Sequence, residues 1–434
     1  MKVKKDKVKL ITMGCSKNLV DSEHILAQLR NNDVEIVEDE DNCETVIVNT
    51  CGFIQEAKEE SINTILRAVR KKEEGQVKNV YVAGCLSDRY KPDLEKEIPE
   101  VDKYFGATDK RQTLVDLLNE IGINYKDNLI GERDVSTPKH YAYLKISEGC
   151  NNPCSFCAIP IMRGGHVSKP AEQVLMEAQK LASKGAKEII IIGQDTTYWG
   201  FDVDKKRRLG YLLNEISKIN GIEWIRLMYA YPSRFPDDLM EVIRDTPSIC
   251  NYIDIPIQHV SDNVLKSMRR GITKKNQIEL LEKLRKEIPG IAIRTTLITG
   301  YPDETEKDFN ELLDFVREFK FDRLGVFTYS HEEDTHAYNL PDRIPVKEKR
   351  ERQKLILEAQ RENSLEANNS LIGQEIDVML DRLENGQFVG RTYRDAPEID
   401  QEVYINNNNS LSIGSIIKAK VYDTEEFDLF AESK

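Results

Sequence analysis

From residue 8 onward, short apolar runs alternate with amphipathic stretches along the chain. Residues 8–13 (VKLITM), 45–49 (TVIVN) and 79–83 (NVYVA) are rich in β-branched side chains and predict strands. Asp21 and Ser22 predict caps for a helix over 23–31, a second helix is expected at about 54–72, residues 103–105 predict a fourth strand, and 111–121 a closing helix. Strands separated by helices of this length imply a flavodoxin-like α/β domain with a parallel sheet covered on both faces.

A second, longer cycle follows. Strands are expected at 141–147, 188–193, 224–230, 252–257, 291–299 and 324–329, with helical stretches between them at 171–183, 209–219, 236–244, 262–268, 274–287 and 304–319. Six βα units predict a curved sheet that falls short of a complete eight-unit barrel. The charged run 346–369 predicts an exposed connecting helix with a solvated face. Beyond it, 376–381, 388–393, 402–405, 416–422 and 429–432 alternate over short lengths between Gly and Asn turns, which predicts a small antiparallel barrel. The expected domains are therefore 6–122, 136–367 and 370–434.

Composition narrows the class. The 434 residues are 40% hydrophobic and 32% charged, a globular and not a disordered composition, and no apolar run approaches the ~18 residues of a spanning helix. The basic start MKVKKDKVKLITMG lacks an apolar h-region, so a cytoplasmic location without membrane attachment is expected. The net charge of −13 is uneven: −5 over 1–122, −1 over 123–369 and −7 over 370–434. An acidic terminal barrel disfavours tight nucleic-acid binding and suits a basic partner.

Eight cysteines in such a chain raise metal or redox chemistry before disulfides. Cys150, Cys154 and Cys157 form Cys-x3-Cys-x2-Cys in EGCNNPCSFCAIP, directly after the first strand of the second cycle. Three thiolates this close can wrap one face of an iron–sulfur cubane and leave the fourth iron open. Zinc is the competing metal, but structural zinc takes four protein ligands, and the nearest His, His166, stands beyond two glycines. Cys15, Cys51 and Cys85 each stand at the carboxyl end of a different expected strand, in ITMGC, VNTC and VAGC. In an open α/β sheet those ends share one edge, so three thiolates separated by 36 and 34 positions are expected to converge there. Cys43 and Cys250 have no partner spacing and are expected to be buried as small apolar side chains.

CNNPCSFC, followed by six βα units, resembles the signature of the radical S-adenosylmethionine (radical SAM) superfamily, with Phe156 matching the aromatic of its cluster loop. A three-cysteine α/β domain, a radical SAM partial barrel and a terminal barrel similar to a TRAM domain together resemble the methylthiotransferases over nearly the whole length. GCSKNLVDSE (14–23), EGCNNPCSFCAIPIMRG (148–164), GQDTTYWG (193–200) and GRTYRDAPEIDQEVYI (390–405) are similar to the branch that modifies an aspartate of small-subunit ribosomal protein 12, not the branch that modifies tRNA adenosine.

That resemblance implies two [4Fe-4S] clusters and S-adenosylmethionine as cofactors. Cys150, Cys154 and Cys157 are implied to hold the cluster that cleaves S-adenosylmethionine to a 5′-deoxyadenosyl radical, which takes hydrogen from the aspartate β-carbon. Cys15, Cys51 and Cys85 are implied to hold an auxiliary cluster whose open iron carries the sulfur to be transferred. Phe156, Gln194, Asp195 and Gly300 are implied to border the cofactor, although Thr296 and Asp303 depart from the family pattern around Gly300. Gln258 and His259 end the fourth strand at the expected mouth, and Arg163 is expected to meet a carboxylate of substrate or protein. The implied partners are ribosomal protein 12 or the small subunit and a low-potential electron donor such as flavodoxin or ferredoxin. A tRNA methylthiotransferase, a non-catalytic iron–sulfur or zinc scaffold on the ribosome, and a radical enzyme for another basic substrate stay open.

Overall fold

The computed structural model describes residues 7–39, 42–108, 110–406 and 411–434. Residue 6, where the first domain is expected to begin, and 407–410 of the expected terminal barrel lie outside them. The chain divides into two units, one of 1–137, 143–151 and 157–180, the other of 138–142, 152–156 and 181–434.

In the first unit, β1 (Lys7–Thr12), α1 (Ser16–Asn31), β2 (Glu35–Ile36), β3 (Thr45–Thr50), α2 (Gln55–Glu73), β4 (Asn79–Gly84), α3 (Cys85–Glu97), β5 (Lys103–Tyr104) and α4 (Arg111–Glu120) alternate as expected. The strands pair in parallel in the order β2-β1-β3-β4-β5, a flavodoxin-like order. β3 is buried along its whole length, which explains its unbroken run of β-branched residues. Two expectations change. Helix α1 begins at Ser16, so Asp21 and Ser22 are buried side chains within it and cap nothing. Helix α3, unforeseen in sequence, starts at Cys85 and kinks at Tyr90 ahead of Pro92, the breaker that concealed it.

The second cycle runs β6 (Tyr141–Lys145), β7 (Ser147–Glu148), α5 (Ile159–Arg163), β8 (Val167–Ser168), α6 (Ala171–Ser183), β9 (Glu188–Ile192), α7 (Phe201–Asp204), α8 (Leu209–Ile216), β10 (Trp224–Leu227), α9 (Leu239–Asp245), β11 (Ile249–Asp254), α10 (Asp262–Ser267), α11 (Lys274–Glu287), β12 (Ala292–Thr299), α12 (Glu306–Phe319), β13 (Arg323–Thr328) and α13 (Val346–Asn369). Six strands form one sheet in sequential order, β13-β12-β11-β10-β9-β6, which is the expected open, partial barrel. Helix α13 corrects the reading of an exposed connector. It packs on β13 and α12 through a buried but polar stripe. There Arg352 pairs with Glu304 at 2.6 Å, Gln360 donates to the Phe321 carbonyl at 2.8 Å and Asn363 to the Val316 carbonyl at 2.9 Å. A buried stripe made of polar residues leaves no hydrophobic period to read.

The terminal strands β14 (Glu375–Glu384), β15 (Gln387–Arg391), β16 (Glu402–Asn406), β17 (Ile416–Thr424) and β18 (Asp428–Ser433) close a barrel in the order β14-β15-β16-β18-β17. One pair, β16 with β18, is parallel, so the barrel is not wholly antiparallel. Its 391–400 segment is tied to the half-barrel by buried charges. Glu188 receives Arg226 at 2.7 Å and also binds Arg391, Arg323 donates to Asp395 at 2.7 Å, and Arg294 reaches Asp400 at 3.2 Å. Among the described residues no helix is long and apolar enough to cross a membrane.

Candidate functional site

At the carboxyl edge of the first sheet Cys15 and Cys51 lie just past β1 and β3 and Cys85 opens α3, and glycines let neighbouring segments pack closely. Gly14, at φ +86°, lies so near Cys51 that a β-carbon there would stand 2.6 Å from the Cys51 β-carbon and 2.8 Å from its sulfur. A β-carbon on Gly52 would stand 2.8 Å from the Leu86 α-carbon, against the start of α3. Gly84, at φ +100°, turns β4 into that helix beneath the Thr50 carbonyl. Asn18 fastens the edge by donating to the carbonyls of Met13 at 2.7 Å and Asn49 at 3.1 Å. Ser61 pins the Cys51 peptide from both sides, accepting from its N–H at 3.0 Å and donating to its carbonyl at 2.9 Å. The Cys15 and Cys51 sulfurs stand close enough to Cys85 to act on its charge.

Cys85 is buried, and burial pushes its thiol up to about 12 against the pull of Arg163, with the Cys15 and Cys51 sulfurs adding to the rise. Burial raises Cys51 as well. Arg163 ends the short helix α5 and donates from Nε to Cys85 Sγ at 3.2 Å. It also donates from Nη1 to Asp21 at 2.6 Å and from Nη2 to the Asn18 side-chain oxygen at 3.2 Å. Asp21 binds Lys145 too, and Lys145 continues to Glu148 at 2.6 Å. Burial alone would raise the Asp21 carboxyl, but Lys145 and Arg163 outweigh it and hold it down at about 2. The carboxylate expected to meet Arg163 is therefore the protein's own.

Cys150 and Cys157 lie in the first unit and Cys154 in the second, all on one loop of eight residues. The Cys150 N–H donates to the Gly164 carbonyl at 3.1 Å. Within the second unit, Arg270 donates from Nη1 to Cys154 Sγ at 3.2 Å, and the Tyr231 hydroxyl stands 3.6 Å from the same sulfur. Arg270 is stacked over the Tyr231 ring at 4.3 Å. Ser155 donates to the Ser267 carbonyl at 2.9 Å, and Phe156 packs on the apolar cluster of Val264, Met268, Tyr301 and Tyr329.

The remaining expected residues are placed as follows. Asp195 caps the turn 196–198 through Thr197 and accepts from Asn152 of the cysteine loop at 2.8 Å. Gln194 precedes it at the end of β9. Gly300, at φ +74°, donates its N–H to Glu304 at 2.8 Å, and a β-carbon on it would collide with Lys349. Gln258 takes φ +69° and bridges to Leu297. His259 is fully buried and accepts from the Ser261 N–H at 3.0 Å. Thr296 accepts from Arg294 at 3.4 Å, and Asp303 accepts from Ser267. Cys43 and Cys250 are buried, as expected of small apolar side chains.

Among the described residues no three His, Cys, Asp or Glu side chains stand within reach of a single metal ion. The cysteine loops do carry chemistry suited to clusters ligated by sulfur. Glycines let the segments carrying Cys51 and Cys85 pack closely, and a buried guanidinium donates to a sulfur in each set, a contact that a cluster-bound sulfur can accept. Sequence reasoning missed Asn18, Asp21, Lys145, Glu148, Tyr231 and Arg270. Their residue types are common everywhere in a chain, and only the fold puts Tyr231 and Arg270 beside sulfur and links the other four, directly or through Asp21, to Arg163.

Three segments match known families: residues 7–106 the uncharacterized protein family UPF0004, 144–316 the radical SAM superfamily and 372–433 the TRAM domain. The ribosomal protein uS12 methylthiotransferase RimO of Christiangramia forsetii is 53% identical over 431 residues, covering 99% of this chain and 95% of that one. The protein of the same name from Flavobacterium johnsoniae is 52% identical over 434 residues, covering 99% and 98%. Among solved structures, the radical S-adenosylmethionine methyltransferase TsrM of Kitasatospora setae aligns with a TM-score of 0.55 at 14% identity, over 74% of this chain and 72% of that one. The cobalamin-dependent radical enzyme OxsB aligns at 0.52, with 14% identity, over 82% and 56%. At these identities the two structures speak for the fold alone.

Proposed function

That the chain belongs to the RimO family of ribosomal protein uS12 methylthiotransferases, within the radical SAM superfamily, is the premise from which we propose its chemistry and its substrate. The reaction adds a methylthio group to the β-carbon of an aspartate of uS12, the small-subunit ribosomal protein 12. Cys150, Cys154 and Cys157 hold one [4Fe-4S] cluster together with S-adenosylmethionine, and Cys15, Cys51 and Cys85 hold a second. The observation that supports this reading is the placement of Cys51 and Cys85 on closely packed segments at one sheet edge, with the Cys15 and Cys51 sulfurs near enough to act on Cys85. Nothing in the chemistry of a single cluster loop would require such a second trio.

Bound there, the clusters and S-adenosylmethionine supply the one-electron chemistry and the sulfur that an unactivated C–H bond demands. The chain's own residues position and shield. Asn18 and Ser61 fix the backbone that presents Cys15 and Cys51. Ser155 and Phe156 anchor the Cys154 end of the loop to the half-barrel, and Asn152 ties it to Asp195. Gln194 and Gly300, at strand ends of the same sheet, complete the S-adenosylmethionine pocket with Asp195 as a brace. Holding a reactive centre this way lowers the entropic part of the barrier and keeps water out.

Flavodoxin or ferredoxin delivers the electron, and the protein acts in the cytoplasm. The acidic terminal barrel faces the basic substrate, although its acid excess is partly spent inside. Asp381 and Asp395 pair with the buried Arg391 and Arg323, and Asp400 with the partly buried Arg294. The test is mass spectrometry of uS12 and of total tRNA from cells lacking this chain. Loss of methylthio-aspartate from uS12, restored by the intact gene and not by its Cys85→Ala form, supports the assignment. Unchanged uS12 with loss of methylthio-adenosine from tRNA would move the protein to the tRNA branch.

A further inference from the structure

Each cysteine set receives a buried arginine hydrogen bond at one sulfur. Arg163 donates from Nε to Cys85 Sγ at 3.2 Å, and Arg270 donates from Nη1 to Cys154 Sγ at 3.2 Å. Both arginines are almost wholly removed from solvent, at 5% and 3% exposure. A guanidinium so placed costs desolvation, which its carboxylate, carbonyl and sulfur partners offset. Neither is a loosely held side chain. Arg163 is clamped by Asp21 and Asn18, and Arg270 by the Pro256 carbonyl at 2.6 Å and by stacking on Tyr231 at 4.3 Å. In each case the partners engage other guanidinium nitrogens while one N–H points at sulfur.

We propose that Arg163 and Arg270 are positioning residues that set the reduction potentials of the two clusters separately, each through the one thiolate it touches. The proposal rests on the two-cluster reading above. Its physical basis is charge: reduction adds an electron to a cluster whose thiolates already carry negative charge. A cationic donor in a low-dielectric surround stabilises the reduced form more than the oxidised form and raises the potential. Because the donors belong to different sulfurs, each arginine acts most strongly on the cluster whose thiolate it touches. Arg163 is further balanced by Asp21, so its pull on Cys85 is weaker than that of a bare cation, and Asp21 becomes a second lever on the same cluster.

The experiment is an EPR-monitored redox titration of the full-length protein, reconstituted with iron and sulfide under anaerobic conditions. Wild type is compared with Arg163→Gln, Arg163→Lys, Arg270→Gln and Arg270→Lys, and iron content and thermal unfolding are recorded for each. The Cys150/Cys154/Cys157→Ala protein isolates one signal and the Cys15/Cys51/Cys85→Ala protein the other. Arg163→Gln is expected to lower the midpoint of the auxiliary cluster alone and Arg270→Gln that of the other alone. The expected size is about a tenfold change in the reduced-to-oxidised ratio at fixed potential, ~59 mV for a one-electron couple. The lysine forms are expected to recover part of each shift, because they keep the charge and lose the fork. If a glutamine form fails to fold, the lysine form still reads a smaller shift confined to one cluster. Midpoints unmoved in folded proteins with full iron would overturn the proposal and leave the two-cluster reading standing. A wild type that binds only one cluster would instead defeat that reading.

Discussion

Gly14 and Cys51 are packed so closely that only a residue without a β-carbon fits between β1 and the Cys51 loop. Ala at position 14 would have to hold φ +86° and push the Cys51 side chain aside. Gly14→Ala is expected to cost about 2 kcal/mol of stability. It should also lose the cluster held by Cys15, Cys51 and Cys85 while keeping the other. Iron content and a denaturant melt of the variant check both halves.

The terminal barrel is fastened by buried charge and not by an apolar interface alone. Glu188 has no solvent exposure and binds both Arg226 and Arg391, and Arg391 reaches Asp381 at 2.9 Å as well. Removing one member leaves the others buried with unbalanced charge. Arg391→Met should therefore destabilise the protein by about 3–5 kcal/mol. The double change with Glu188→Leu should restore little of that loss, because it leaves the buried Arg226 without its carboxylate. Urea unfolding of the single and double variants measures the coupling.

Acid should weaken the fold in a defined window. Burial lowers His24 to about 4, with Glu177 opposing and nearby Lys and Arg residues assisting, and burial lowers His259 to about 3, with Asp308 opposing and Arg352 assisting. In the unfolded chain both imidazoles take a proton near pH 6.5, so there the unfolded state binds protons that the folded state refuses. Their contribution is complete above that value and is lost progressively as pH falls toward 4 and then 3. The slope is about 1.4 kcal/mol per pH unit for each histidine. Asp21, held at about 2, acts lower: its stabilisation is present above the ordinary carboxylate value and disappears as pH drops through 2. Urea melts of the wild type and His259→Asn between pH 7 and pH 4.5 should show a shallower decline in the variant.

Sequence reading reached what hydrophobic pattern and cysteine placement encode. The β-branched run at Thr45–Thr50 and the IIII of β9 announce buried parallel strands; Cys51 and Cys85 directly follow β3 and β4, and Cys15 stands just past the half-buried β1. Strand β2 has two residues, too few for any period to register. Helix α3 hides behind Pro92, and the buried face of α13 is built from Arg352, Gln360 and Asn363 and not from leucines. Asp21 looks like a cap because Asp and Ser commonly are caps. Its partners Lys145 and Arg163 are more than a hundred residues away in sequence, and nothing local points to them. The 390–405 stretch shows the same limit. Its Arg391, Asp395 and Asp400 are tethers to the half-barrel, a role visible only once the strands carrying their partners are assembled.

The two-cluster claim is tested most directly by iron and sulfide analysis with Mössbauer spectroscopy on the anaerobically reconstituted full-length protein. The wild type should hold about eight irons per chain as two [4Fe-4S] clusters. Replacing Cys15, Cys51 and Cys85 by Ala, or Cys150, Cys154 and Cys157 by Ala, should leave about four in each case. Replacing Cys43 and Cys250, which lie in the core, should leave all eight or so. A wild type that saturates at about four irons, or that takes up zinc in place of one cluster, would contradict the account.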